Sequence, residues 1–115
     1  MRKIIFTDLD GSLIEHNPYF SFNGIPKILD GVKEAFKKWN EKDYTIVITT
    51  GRKESDRERT IKQLEKLELS YNLLLMDMPR GERVIINDMK PDGTLTARAF
   101  NIERNKGLDE DIINL

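Results

Sequence analysis

The chain contains no cysteine. Disulfides, thiolate nucleophiles and thiolate metal sites are thereby excluded. It has one histidine, His16, which excludes His-rich metal clusters. Net charge is nearly absent: 19 Lys and Arg stand against 20 Asp and Glu, a formal −1. That balance does not pull the surface as a whole towards nucleic acid or an anionic membrane, although it is compatible with a local basic patch. Long hydrophobic runs are missing too. No stretch approaches the roughly 20 apolar residues of a membrane-spanning helix. The N-terminus has two basic residues and a short apolar stretch, but an acidic pair follows at once, so it does not read as a signal peptide. The expected location is the cytoplasm. What is present is 115 residues, 38% apolar and 34% charged, which suits one soluble domain over 1–115 with a modest core.

Repeats, low-complexity tracts and linkers are absent. Lys3 to Thr7 is a short β-branched and aromatic run that ends in turn residues, and it predicts a buried strand. His16 to Pro26 mixes aromatics with Asn, Gly and Pro and predicts a loop or short hairpin. A helix is expected to start near Asp30 as N-cap, with Val32, Ala35, Phe36 and Trp39 facing the core at helical spacing. Tyr44 to Thr49 predicts a second strand. Ser55 and Glu58 have the spacing of a capping box for a second helix whose apolar stripe is Ile61, Leu64 and Leu67. Leu73 to Met76 and Val84 to Ile86 predict third and fourth strands, Thr96 to Ile102 a fifth, and Asp109 to Leu115 a short terminal helix. Alternating strands and helices indicate an α/β domain, a Rossmann-like parallel sheet flanked by helices. Chemistry in such sheets lies beyond the carboxyl ends of the strands.

Three predicted strand ends carry polar groups. The first is Phe6-Thr7-Asp8-Leu9-Asp10-Gly11-Ser12, where two carboxylates at i and i+2 point the same way and Gly11 permits a sharp turn. The second is Ile48-Thr49-Thr50-Gly51-Arg52, where a hydroxyl and the backbone N–H groups beside a glycine can face an anion. The third is Ile86-Asn87-Asp88, with Asp92 four residues on in a Pro91-Asp92-Gly93 turn. Carboxylate oxygens suit Mg²⁺, which takes one or two of them together with waters and phosphate oxygens. Asp88 is the expected ligand of this segment, with Asp92 as a supporting candidate.

On these motifs the chain resembles the phosphatase branch of the haloacid dehalogenase superfamily. Asp8-Leu9-Asp10-Gly11-Ser12 matches the family's first motif, Thr50 its second in the Thr-Gly-Arg form, and Asp88 with Asp92 its acidic fourth. The resemblance implies Asp8 as nucleophile, forming an aspartyl-phosphate, and Asp10 as the acid and then the base. It implies Mg²⁺ at Asp8, the Asp10 carbonyl and Asp88, and a phosphoryl oxygen held by Thr50 and Gly51. The family's third motif, normally a lysine, has no counterpart between Lys66 and Asp88. Arg80 is the expected replacement, with Arg83 and Lys90 as alternatives.

Many members of this family carry a cap domain. The loops Leu13 to Leu29 and Asp77 to Arg83 are too short for one, so a capless member is expected, open to a bulky substrate or closed by oligomerisation. His16, Tyr19, Phe20 and Phe22 could form a lid, although aromatics in such a loop more often pack on the domain. The family's sheet order puts the fourth strand on the far side of the first. A parallel crossover normally needs a dozen or more residues, and 77–83 offers seven. Either the third strand is minimal, or the connection crosses the sheet end fully extended, or the sheet is rearranged.

The expected function is Mg²⁺-dependent hydrolysis of a small phosphorylated metabolite such as a sugar phosphate, by a homo-oligomer with no membrane partner. Two other readings remain. A non-catalytic phosphoacceptor domain also uses acidic pairs, but it has no need of Asp10. A nucleic-acid 3′-end phosphatase would draw on Lys53, Arg57 and Arg59, though the balanced charge weighs against nucleic acid as a partner.

Overall fold

β1 (Ile4–Asp8), β2 (Thr45–Thr49) and β3 (Leu73–Leu75) form a parallel sheet in the order β1-β2-β3. Register pairs Ile5 with Ile46 and Asp8 with Thr49, then Ile48 with Leu74 and Thr49 with Leu75. The computed structural model describes residues 1–16 and 24–115. Tyr19, Phe20 and Phe22, named above as lid candidates, lie outside the described residues.

Among the described residues three α-helices accompany the sheet: α1 (Val32–Glu41), α2 (Arg57–Lys66) and α3 (Glu110–Ile113). The expected stripe of Val32, Ala35, Phe36 and Trp39 is buried. It meets Ile5, Ile46, Ile48 and Leu74 of one sheet face, together with Leu64 of α2 and Ile112 and Ile113 of α3, in one core. The Trp39 indole N–H donates to the Ile112 carbonyl at 3.2 Å, tying α1 to the C-terminal helix. On the opposite face, strand alternation places Ile4, Phe6, Leu73 and Leu75, and all four are exposed.

Several local expectations are corrected. The N-cap of α1 is Gly31, not Asp30, and no side chain caps it. The Asp30 carbonyl instead accepts the Leu108 N–H at 2.8 Å, so tertiary packing takes that backbone. The Ser55–Glu58 capping box does not form. A 3-10 turn, Glu54–Asp56, precedes α2, whose N-cap is Asp56 without a side-chain capping bond, its carboxylate pairing with Arg59 instead. On α2, Leu64 is buried as expected, but the other buried residues are Thr60 and Gln63, while Ile61 and Leu67 only flank the core.

The largest correction concerns the fourth and fifth strands. Among the described residues, Val84–Ile86 and Thr96–Ile102 pair with no strand. β3 is indeed minimal, at three residues. Its continuation is pinned at the sheet's carboxyl end, because Asp77 N–H donates to Arg52 O and Met78 N–H to Thr50 O, both within 3.0 Å. Only 79–83 then remains before Val84, too little chain to return and start another parallel strand. Residues 81–100 are exposed throughout and form an arm. Its tip is a turn in which Gly93 N–H donates to Lys90 O and Lys90 N–H to Thr94 O. The molecule accordingly measures 50 Å by 28 Å by 24 Å.

Candidate active site

β1 and β2 end side by side, and that adjacency builds the site. Asp8 closes β1 opposite Thr49. Beyond it the chain turns tightly: Gly11 N–H donates to Ile14 O at 2.7 Å, and Leu13 N–H to Leu9 O at 2.9 Å. Gly11 has φ +89, a left-handed value that a side chain rarely adopts. A Cβ there would also meet Arg104 Cγ at 3.2 Å, so the Arg104 side chain lies over the turn. Asn105 holds the same turn, donating its backbone N–H to Gly11 O at 2.9 Å. Its side chain accepts from His16 N–H at 2.7 Å and donates to His16 O at 3.1 Å.

Asp10 is engaged by Arg52. Arg52 Nε donates to Asp10 Oδ2 at 3.0 Å and Nη2 to Oδ1 at 2.8 Å, the two-pronged geometry that a guanidinium offers a carboxylate. The remaining terminal nitrogen of Arg52 donates to Thr60 Oγ1 at 3.1 Å and Gln63 Oε1 at 2.7 Å. This explains the polar buried face of α2, since Thr60 and Gln63 receive the arginine that fixes Asp10. Both Asp10 oxygens act as acceptors here. Each oxygen keeps a second lone pair, on which a proton for a leaving group can be carried.

Thr50 is buried and its hydroxyl oxygen accepts from Arg52 N–H at 3.2 Å, leaving its own O–H to donate. Gly51 is exposed beside it, with Arg80 Cγ 4.0 Å from where a Cβ would stand. Arg80 therefore flanks the Thr-Gly-Arg turn. Arg83 is the arginine whose charge reaches Asp8. Its terminal nitrogen is propped by the Pro79 and Gly81 carbonyls, at 3.0 and 2.7 Å. Loss of hydration raises the Asp8 carboxyl above its ordinary 3.8, and the Asp10 charge adds to this. The Leu9 N–H, Arg83 and His16 oppose it. Asp8 still has an open surface, so the stability effect of this rise is small.

Asp88 does not join this group. It lies in the exposed arm, where its carbonyl accepts from the Thr96 hydroxyl at 2.5 Å. Asp92 accepts from the Thr94 N–H at the arm's tip, and Lys90 lies in the same turn. Among the described residues, no three His, Cys, Asp or Glu side chains cluster as a cation cage. Mg²⁺ does not need one, since it keeps several waters and commonly takes one carboxylate or two. A partly dehydrated Asp8 carboxylate and the Asp10 carbonyl fit such an ion.

The chain as a whole is similar to known proteins. Residues 5–106 match the family model described as haloacid dehalogenase-like hydrolase. The chain belongs to that family. No curated protein matches the chain. Among solved structures, a chain of the Pnkp1/Rnl/Hen1 complex is similar with a TM-score of 0.55 and 28% identity, over 72% of this chain and 30% of that one. A second structure, of the Pnkp1/Rnl/Hen1 RNA repair complex, gives 0.55 and 28% over 71% and 27%. A target protein from Vibrio cholerae gives 0.60 at 19% identity over 98% and 89%, a likeness of fold. The chain spans under a third of the length of the two proteins from the repair complex. Among the described residues the chain has a Rossmann-like sheet and no cap domain, and the family supports a hydrolase of phosphatase type.

Arg52 and Arg104 are the residues that sequence reasoning missed. Arg52 stood in the quoted Thr-Gly-Arg turn, and Thr60 and Gln63 at unexpectedly polar positions of α2 were its signal. Arg104 has no local signal, because it reaches Gly11 only through the tertiary return of the chain.

Proposed function

We propose that the protein is a phosphoric monoester hydrolase that uses Asp8 as nucleophile. The observation that carries this is the meeting of Asp8 with the Thr50-Gly51 turn across the β1–β2 register, with Arg52 on Asp10 and the Arg83 charge reaching Asp8. An in-line attack by Asp8 Oδ on phosphorus forms the Asp8–phosphate bond as the ester oxygen leaves. Asp10 gives the leaving oxygen its proton, then takes one from the water that cleaves the acyl phosphate. The Thr50 hydroxyl and the N–H groups about Gly51 hold non-bridging oxygens. Arg83 beside Asp8 and Arg80 beside Gly51 supply the positive charge that a lysine supplies elsewhere in the family. Bound through Asp8 and the Asp10 carbonyl, Mg²⁺ would neutralise charge on the phosphoryl group.

The first substrate class is a small phosphorylated metabolite such as a sugar phosphate. A second reading, a phosphate at a nucleic-acid end, is favoured by one observation: the 28% identity to a chain of an RNA repair complex. A site without a cap suits that reading, since a polymer end must enter. The test is phosphate release from sugar phosphates, nucleotides and 3′-phosphorylated oligonucleotides, with Mg²⁺ and with a chelator. Release that depends on Mg²⁺ and vanishes in Asp8→Asn supports the reading. Equal activity in Asp8→Asn refutes it, and preference among the substrates decides the class.

A further inference from the structure

We infer that the working assembly is a pair of copies that exchange arms, the Val84–Ile86 segment of each extending the other's sheet along β1 and carrying Asp88 to the other's Asp8. The site half of this inference rests on the function proposed above.

The arm leaves apolar surface unspent. Val84 is 73%, Ile85 52% and Ile86 93% exposed, and Met89, Leu95 and Phe100 are exposed as well. Three consecutive β-branched residues have the composition of a buried strand, not of a solvated loop. The sheet has a matching deficit. β1 is its outer strand, and among the described residues no backbone hydrogen bond joins another strand to its outer edge. Ile4 is 61% and Phe6 58% exposed on the open face. An unpaired edge beside an apolar face is a template for strand addition.

The chain cannot lay its own Val84–Ile86 segment along that edge. A strand parallel to β1 has to begin level with Ile4, at the amino end of the sheet. The arm instead begins at the carboxyl end, where Met78 is pinned to Thr50 and the Arg83 charge reaches Asp8. A second copy is free of that constraint. The two segments also share one spacing: Ile4, Phe6 and Asp8 in β1, Val84, Ile86 and Asp88 in the arm. Parallel pairing of Val84 with Ile4 and Ile86 with Phe6 sets Asp88 beside Asp8 on the same face. Adjacent strands lie about 4.8 Å apart, so one hard cation could be shared by the two carboxylates. This supplies the acidic group that a single copy does not bring to the site. The exchange is reciprocal, so the assembly closes as a two-fold dimer rather than a fibre.

The test uses the absence of cysteine. Ile4→Cys in one copy and Val84→Cys in a tagged second copy should form a mixed disulfide on co-expression and mild oxidation, since neighbouring strands meet the required Cα separation. Light scattering of the unmodified protein should give twice 13.4 kDa. A monomer at micromolar concentration, or a disulfide closing within single chains that carry both substitutions, overturns the inference. For the site, Asp8→Asn and Asp88→Asn copies should each be inactive. Co-assembled in equal amounts they should regain about a quarter of wild-type activity, because half the pairs are mixed and each holds one complete site of two. No recovery in disulfide-verified mixed pairs overturns the delivery of Asp88. A disulfide-linked dimer whose unmodified form hydrolyses no phosphate ester supports the exchange and sinks the phosphatase reading instead.

Discussion

Replacing Arg52 with alanine removes four hydrogen bonds at once: two to Asp10, one to Thr60 and one to Gln63. The side chains of Arg52 and Asp10 are 17% and 28% exposed, so the pair lies between the surface and buried limits. Exposed pairs contribute about 0–1 kcal/mol, whereas breaking a buried one costs about 3–5 kcal/mol, because the partner charge is left behind. Unpaired Thr60 and Gln63 oxygens add to the cost, though less than additively. A loss of about 2–4 kcal/mol is expected, a large share of the roughly 5–15 kcal/mol available to a small domain. Trp39, the sole tryptophan and 1% exposed, reports urea unfolding by its fluorescence. Asp10→Asn and the double variant complete a cycle, with an expected coupling of about 1–3 kcal/mol. Arg52→Lys should recover only part, because a point charge cannot span Asp10, Thr60 and Gln63 together. A loss below about 0.5 kcal/mol with no coupling would refute the reasoning, and Asp10 would then be positioned by the β1 turn alone.

Asp8→Asn should abolish turnover without unfolding the protein. The raised Asp8 carboxyl means that the fold disfavours the ionised form, a penalty present above its folded pKa and relieved as pH falls through it. In chelator the variant should therefore be at least as stable as wild type at neutral pH, with the gain shrinking in acid; urea midpoints at the two pH values check this. Asp10→Asn should lose less on an aryl phosphate than on an alkyl one in the first step, because a good leaving group needs no proton; equal losses in single-turnover assays would deny Asp10 the acid role. Arg83→Ala and Arg80→Ala should each lower kcat/KM by more than about tenfold, or 1.4 kcal/mol, with unfolding midpoints near wild type; unchanged kinetics would exclude that arginine from phosphate binding. Gly107→Ala should destabilise by more than about 1–2 kcal/mol, because Gly107 has φ +86 and a Cβ there would collide with the Asp30 backbone; a midpoint within error of wild type would contradict that packing.

The sequence by itself determined what depends on near neighbours. The Val32, Ala35, Phe36 and Trp39 stripe names its own buried face, because helical periodicity is a local property. The runs before Asp8 and Thr50 announce strands, and Asp-Leu-Asp-Gly-Ser announces what their ends carry. Only the tertiary structure decided which apolar run would pair. Val84-Ile85-Ile86 has the composition of a strand, but a parallel strand needs chain enough to return. The pinning of Met78 at the sheet end takes that chain away. Caps went the same way: Asp30 and Ser55 are good local candidates, yet Gly31 and Asp56 hold the positions. The Asp10–Arg52–Thr60–Gln63 network and Arg104 over Gly11 join residues far apart along the chain. A charge network of that kind depends on the crossing of strand end, turn and helix, and the sequence records that crossing only as two polar residues, Thr60 and Gln63, on the buried side of α2.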